Sequence, residues 1–577
     1  MSLLERYCPR VDFASTEDFL ENFKLNLPGD FNFAHDVVDW YAEHEPGRTA
    51  LVWCNDRGDE LILDFRELRR RADQAANFFK SRGVGKGDAV LLCLKGRWHF
   101  WTCLVALHKL GAIAVPATHM MQTKNVVYRL ERLNFRMILA AREAALMDNI
   151  KQAVAETGQD IFTVCVDGPA EGWEDFNALA AAMPDRFERP APGSPEATSL
   201  REFILLYFTS GTAGFAKMIQ FDHAYPLAHI VTARFWQECL DGGLHYTVAD
   251  TGWAKCAWGK IYGQWLCGAA VFAYDYDAFN AAEMCKRIAH YKVDTFCAPP
   301  TVYRMMIRED LTGIDFSNLR RTVIAGEPLN PEVYRRWLEK TGHRLFEAYG
   351  QTESVVSVAT TRWMAPKPGS MGRPLPIYEV SLMANDGSGR RCERGETGEI
   401  VIKADPLDPP PGLFRGYRDD PDLTASSWHD GWYHTGDLAW MDEDGYLWFV
   451  SRADDMIKSS GYLIGSFEVE SAVMQHPAVL ECAVTGHPDP IRGQVVKATV
   501  VLAKAHRAPE GADAAAVAEH HKKLARELQN HVKAVTEPYK YPRVVEFVDE
   551  LPKTISGKIR RVEIRQEDDL RVAREQE

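Results

Sequence analysis

An α/β fold is predicted: a large N-terminal domain of parallel sheets covered by helices, with a small barrel-like subdomain, followed by a small mobile α+β domain. Three observations predict it. Buried strands alternate with helices up to Gly350; beyond residue 365 the strands shorten and are punctuated by Gly and Pro; and a polar run, Ser451-Arg-Ala-Asp-Asp, precedes the final segment. At 577 residues, 46% of them hydrophobic, the chain is long enough for several buried cores.

The stretch Ala89 to Ala117 reads as a buried strand, an apolar helix ending near Gly111 and a second strand, one βαβ unit. The theme returns at Asp294-Thr-Phe-Cys-Ala with a helix from Thr301, at Thr322-Val-Ile-Ala before Gly326, and at Arg344-Leu-Phe-Glu-Ala-Tyr before Gly350. Ligands of such sheets bind where strands give way to loops, which is where Gly326 and Gly350 fall. Gly398-Glu-Ile-Val-Ile and Gly445-Tyr-Leu-Trp-Phe-Val predict antiparallel structure, and Ala512 to Lys533 has helical spacing. The expected boundaries are 1–453 for the large domain, with its β-rich part over about 365–453, and 454–577 for the small one.

Charge and cysteine usage narrow the function classes. Lys+Arg 67 against Asp+Glu 81 gives a net charge of −14, which disfavours nucleic acid and anionic lipid as partners. The twelve cysteines form no CxxC pair, so reduced thiols in the cytoplasm are expected. The first residues soon turn charged, so no export is expected, and the most apolar stretches, Leu104 to Ala117 and Ile261 to Tyr274, are too short and interrupted to span a bilayer.

Tyr207-Phe-Thr-Ser-Gly-Thr-Ala-Gly-Phe-Ala-Lys217 opens from a strand into small and hydroxylated positions closed by a lysine. Backbone N–H groups around Gly211 and Gly214, the hydroxyls of Thr209, Ser210 and Thr212, and the Lys217 ammonium suit a phosphate, although the spacing is not that of a Walker loop. An isolated stretch of this composition is more often a simple turn. Its neighbours reverse that: Gly326-Glu-Pro follows one strand and Glu347-Ala-Tyr-Gly-Gln-Thr-Glu353 spans the end of the next. Tyr349 offers a ring for a purine, Thr352 a phosphate contact, and Glu353 a hard oxygen for Mg²⁺. In Tyr433-His-Thr-Gly-Asp437 the carboxylate suits ribose hydroxyls, and Arg452 suits ribose or phosphate. Pro552-Lys-Thr-Ile-Ser-Gly-Lys558 sets a lysine on a glycine-hinged turn.

These motifs, in this order from about residue 40 to 565, resemble the adenylate-forming superfamily of acyl-CoA synthetases, adenylation domains of peptide synthetases and beetle luciferases. Gly252-Trp-Ala-Lys, Ser460-Gly-Tyr-Leu-Ile-Gly-Ser-Phe-Glu-Val-Glu and Tyr539-Lys-Tyr-Pro-Arg look most like medium-chain acyl-CoA ligases and prokaryotic short- or branched-acyl relatives. The resemblance implies that a carboxylic acid, ATP and coenzyme A react through an acyl-adenylate, with Mg²⁺, in a monomer or homodimer. It implies that Thr209 to Lys217 hold the outer phosphates. Gly326, Glu327 and Pro328 with Glu347, Ala348 and Tyr349 would frame adenine, and Gly350 and Gln351 would continue the nucleotide wall. Thr352 would touch the α-phosphate, Glu353 the metal, Asp437 the ribose, and Lys558 would be the adenylation lysine. The small domain would turn about Asp454 to bring in Ser460, Gly461 and Tyr462, with Arg492, Lys533 and Tyr541 on coenzyme A; Gly461 is expected to be small so that the coenzyme can pass.

Two departures stand out: Ala213 and Ala216 replace the hydroxyl and proline usual in the phosphate loop, and Leu463 stands where an arginine is frequent. Trp253, Trp258, Tyr262 and Trp265, with Gly350, are expected either to wall an acyl pocket or to pack as core; the bulky indoles favour short, branched or aromatic acids. Lys260 is expected to pair with a carboxylate or to snorkel to the surface. Alternative readings are an enzyme that loads a carrier protein and a non-catalytic nucleotide-binding relative.

Overall fold

The structure, a computed structural model, describes residues 2–209, 216–509, 511–553 and 559–576. They form two compact units, one of residues 2–209, 216–379 and 403–432, the other of 380–402 and 433–576.

The larger unit holds two sheets. The first runs Glu174–Asp175, Phe162–Cys165, Phe135–Ala140, Ala89–Cys93, Ile113–Pro116, Phe203–Thr209, Lys217–Asp222, parallel except for the last strand, which folds back on Phe203–Thr209. Ala89–Cys93 is buried along its whole length because both faces are covered, which is why it reads as an unbroken apolar run. The helix His99–Leu110 follows and ends on Gly111, whose φ of 69° is the left-handed cap expected there. Strands Ala89–Cys93, Ile113–Pro116 and Phe135–Ala140 share one apolar core with Leu146 and Ile150 of the helix Ala144–Thr157.

In the second sheet Leu345–Tyr349, Arg321–Ala325, Thr295–Ala298, Leu244–Thr247, Ala270–Asp275 and Thr49–Asn55 are parallel neighbours. The strands expected before Gly326 and Gly350 are therefore present and adjacent. Helices Ala281–His290, Pro300–Met306 and Pro331–Thr341 pack their apolar stripes, including Met284, Tyr303 and Trp337, on the sheet.

The smaller unit is antiparallel where it begins: Val380–Ala384 pairs with Thr397–Lys403, and Trp432–Met441 with Leu447–Arg452. The expected polar run becomes the end of that last strand and a single 3₁₀ turn, Ala453–Asp455. A further sheet orders Tyr462–Ile464, Ile457–Ser459, Gly493–Leu502 and Val479–Asp489, with Val544–Val548 parallel to Gly493–Leu502. Val469 and Val473 from Ser466–Met474, and Leu524, Leu528 and Val532 from Ala514–Val535, complete its core. The latter helix starts two residues later than its spacing suggests, because the Asp513 carboxylate caps it by accepting from the Ala516 N–H at 2.8 Å.

Among the described residues no helix is long and apolar enough to cross a membrane. All twelve cysteines are free, and only Cys392 is not buried.

Candidate active site

Three loops leave the ends of parallel strands in the larger unit. Thr209 ends its strand opposite Lys217, so the two ends of the candidate phosphate motif face each other across an antiparallel pair. Ser210, Gly211, Thr212 and Gly214, with Ala213, lie outside the described residues, as does Lys558. Lys217 stands over the Tyr417 ring, its Nζ 4.8 Å from the centroid, and the Tyr417 hydroxyl donates to Glu353 Oε1 at 3.0 Å. A cation, a ring and a carboxylate thus link the phosphate motif to the candidate metal ligand. The Phe414 N–H donates to the Glu353 carbonyl at 2.8 Å and fixes that backbone. Tyr417 went unremarked in the sequence because it lies 64 residues from Glu353.

Glu353 and Thr352 are half-buried. Among the described residues no group of three or more His, Cys, Asp or Glu is arranged to hold a metal alone. A single carboxylate beside a hydroxyl is nevertheless what Mg²⁺ asks of a protein when phosphates and water complete its shell, so the donor set fits.

Gly326 adopts φ 105°, a conformation that leaves the strand end open to a ligand. Lys255 donates to the Ala325 carbonyl at 2.7 Å, beside that glycine. Glu327 accepts from Thr301 Oγ1 at 3.0 Å and lies 3.8 Å from Arg304, while Pro328 leads into Leu329. Glu347 is buried: its Oε1 accepts from the Leu329 N–H at 3.2 Å and its Oε2 finds no partner among the described residues. Desolvation pushes its carboxyl well above the usual range, and its bond ties Leu329 to the next strand. Ala348 is buried and Tyr349 half-buried. Gly350 is forced by packing, since a Cβ there would lie 2.6 Å from Trp258 Cη2 and 2.9 Å from the Val355 carbonyl. Gln351 donates its N–H to Ser354 Oγ at 3.3 Å.

The four aromatic residues divide. Trp258 lies against Gly350, and Trp253, half-buried, opens the helix Ala254–Gly259. Trp265 donates to the Ala50 carbonyl at 2.9 Å and stacks on Phe33, and the Tyr262 hydroxyl meets His108 Nε2 at 2.9 Å. Those two are core contacts. Both expectations for Lys260 are corrected: it is 4% exposed and donates to the Ala249 carbonyl at 2.7 Å, with burial lowering the pKa of its amine. The chain turns inward there, and the amine bonds a backbone carbonyl rather than a carboxylate.

In the smaller unit Asp437 and Arg452 are paired across a hairpin, with Arg452 Nη1 3.2 Å from Asp437 Oδ1 and donating to the Thr435 carbonyl at 3.2 Å. Gly436 makes this possible, because a Cβ there would lie 3.1 Å from the guanidinium. Arg452 Nε is 3.5 Å from Asp454. Ser460 and Gly461 form the turn of the hairpin Ile457–Ser459 and Tyr462–Ile464, with φ 51° and 83°. Among the described residues nothing lies within 4 Å of a Cβ built at Gly461, and the left-handed backbone there itself favours glycine. The Ser460 N–H donates to the Arg492 carbonyl at 3.1 Å, Tyr462 stacks on Tyr539 at 4.4 Å, and Lys533 stands 4.0 Å over the Tyr541 ring. Arg543, not singled out from the sequence, donates to the Tyr541 hydroxyl at 2.6 Å.

Known proteins resemble this chain along most of its length. The family model "AMP-binding enzyme" matches residues 38–418 and "AMP-binding enzyme C-terminal domain" matches 468–558. Human acyl-coenzyme A synthetase ACSM3, mitochondrial, is 38% identical over 96% of this chain and 93% of its own, and human ACSM4, mitochondrial, 40% over 94% and 91%. The crystal structure of the anthranilate CoA ligase AuaEII in complex with anthranoyl-AMP superposes with a TM-score of 0.82 at 28% identity, over 95% of this chain and 99% of that one. A benzoate CoA ligase from Burkholderia xenovorans LB400 gives 0.78 at 25% identity, over 93% and 100%. With matches of this extent, the chain belongs to the AMP-binding enzyme family and, within it, to the acyl-coenzyme A synthetases, AMP-forming ligases that join a carboxylic acid to coenzyme A through an acyl-adenylate.

Proposed function

We propose that this synthetase activates a short or medium, branched or aromatic acid and divides its two half-reactions between two sets of its own residues. The observation that carries the reading is the Lys217–Tyr417–Glu353 chain beside the Gly326 and Gly350 strand ends. Carboxylate attack on the α-phosphorus brings two anions together, so the barrier is largely electrostatic. Lys217 neutralises the outer phosphates, Thr352 orients the α-phosphate, and Lys558 meets the charge that develops there. Glu353 would hold Mg²⁺, which when bound would supply further neutralisation of phosphate charge. Gly326 to Pro328 and Glu347 to Gln351 enclose the base, with Asp437 and Arg452 on the ribose. For thiolysis the small domain turns about Asp454, and Ser460, Gly461 and Tyr462 with Arg492, Lys533 and Tyr541 receive coenzyme A. Tyr462 stacked on Tyr539 supports an aromatic surface for that ligand.

Trp258 against Gly350 supports a compact acyl pocket. The benzoate and anthranilate ligases among the structural relatives favour the aromatic end of the range. A panel of propionate, 2-methylbutyrate, octanoate and benzoate, read as pyrophosphate and AMP release with and without coenzyme A, tests this. Turnover should be highest with 2-methylbutyrate or benzoate; a preference for octanoate overturns the compact pocket and leaves only the medium-chain part of the range. Pyrophosphate release without turnover of coenzyme A returns the carrier-loading reading, and none with any acid returns the non-catalytic one. We read the enzyme as cytoplasmic, on its free cysteines, and as a monomer or homodimer. The mammalian relatives are named as mitochondrial, so cell fractionation tests the first point and sedimentation the second.

A further inference from the structure

We propose that His119, oriented by Asp250, takes the proton from the coenzyme A thiol in the second half-reaction, an assignment that rests on the acyl-coenzyme A synthetase reading above. His119 Nδ1 lies 3.2 Å from Asp250 Oδ2, and the side chains are 23% and 11% exposed, so the pair is seated but open to a reactant. The two residues come from different sheets of the larger unit and meet at their strand-exit edges. His119 follows Ile113–Pro116, which pairs in parallel with Phe203–Thr209, Ala114 opposite Leu205, so both chains leave the sheet at the same edge. Asp250 follows Leu244–Thr247, and Thr295–Ala298 separates that strand from Arg321–Ala325, which ends at Gly326. Trp253, three residues on, opens the segment of Trp258, and Lys255 reaches the Ala325 carbonyl at 2.7 Å. The pair therefore stands on the strand-exit edge of both sheets, the edge from which the candidate phosphate, base and acyl segments also leave.

Its geometry is held from three sides. A Cβ at Gly252 would lie 2.2 Å from the Thr118 backbone nitrogen, so the two loops touch main chain to main chain. The Gly252 N–H donates to Asp250 Oδ1 at 2.7 Å, and Thr251 Oγ1 donates to the Lys95 carbonyl. A carboxylate on Nδ1 holds the proton there and leaves the Nε2 lone pair as acceptor. Among the described residues no protein group takes Nε2. Other titratable groups close to the pair are Cys93, Cys256, Lys260 and Tyr276, each of which senses Asp250; Lys260 is the one cation of that set and is bonded to the Ala249 carbonyl.

The step balances. A thiol near pKa ~8.5 is mostly protonated at neutral pH, and histidine is the side chain suited to removing that proton there. As the S–H proton passes to His119 Nε2, sulfur forms its bond to the acyl carbon, and the bond from that carbon to the AMP oxygen breaks, AMP leaving with the electron pair.

The test supplies benzoyl-AMP and coenzyme A to the full-length enzyme and follows thiolysis from about pH 5.5 to 9.5, with pyrophosphate release from ATP and benzoate measured separately. The wild-type rate should rise with pH through a limb set by the general base. In His119→Gln the limb should move toward the thiol's ~8.5 and the rate at neutral pH fall about 100-fold, far more than pyrophosphate release falls. Added imidazole should restore thiolysis in His119→Ala, and Asp250→Asn should give an intermediate loss. Equal loss in both half-reactions, an unmoved limb, or no imidazole rescue would overturn the role of His119 and leave the synthetase reading intact. A wild-type enzyme that leaves benzoyl-AMP intact while releasing pyrophosphate overturns both.

Discussion

Glu347 shows how a residue in a ligand-edge motif serves the loop from beneath. Its side chain is buried and bonds the Leu329 N–H at 3.2 Å, so Gly326 to Pro328 are anchored to the following strand. Because its folded-state pKa is raised, the unfolded chain releases this proton first as pH climbs, and stability is lost above the ordinary carboxylate range up to the folded pKa. Glu347→Gln keeps the bond to Leu329 and removes that penalty. At neutral pH it should stabilise the protein by at least about 1 kcal/mol, with little difference near pH 4. Thermal melts of both proteins across that range check it, and parallel curves would show that Glu347 is ionised when folded.

Among the elements, the helix Phe65–Ser81 is tied to His99–Leu110 by charge as well as by packing. Lys109, fully buried, lies 2.7 Å from Asp73 of the first helix and 2.5 Å from Asp39. Lys109→Met leaves two carboxylates buried together and should cost about 3–5 kcal/mol, read as a lower denaturant midpoint, whereas Lys109→Met combined with Asp73→Leu and Asp39→Asn should recover much of it. The helix His99–Leu110 was legible from apolar spacing and the Gly111 stop; Phe65–Ser81 was not read from the sequence. Nor was their ionic lock, because Asp39, Asp73 and Lys109 are far apart in the chain and each alone reads as a surface charge. Trp265 and Tyr262 failed to declare themselves for a related reason: composition cannot say which face of a short helix meets a pocket and which meets Phe33 and His108.

For the whole molecule, the division of labour between the half-reactions makes the sharpest prediction. Lys558→Ala should abolish pyrophosphate release while sparing thiolysis of a supplied acyl-AMP. Gly461→Leu should do the reverse, because a side chain at φ 83° strains the turn that carries Ser460 and Tyr462. Equal loss of both half-reactions in each variant would mean that one arrangement of the chain performs both steps.

The order of strands and helices, the glycines at the strand exits and the family itself were determined by the amino-acid sequence alone, since hydrophobic period, helix stops and linear motifs are local properties of a chain. Tertiary structure decided the pairings: Tyr417 between Lys217 and Glu353, Glu347 beneath Leu329, Lys260 on a carbonyl, and His119 against Asp250. Such contacts join residues tens or hundreds of positions apart. Their energy depends on burial and on a few tenths of an ångström of geometry, and neither quantity exists until the sheets have closed.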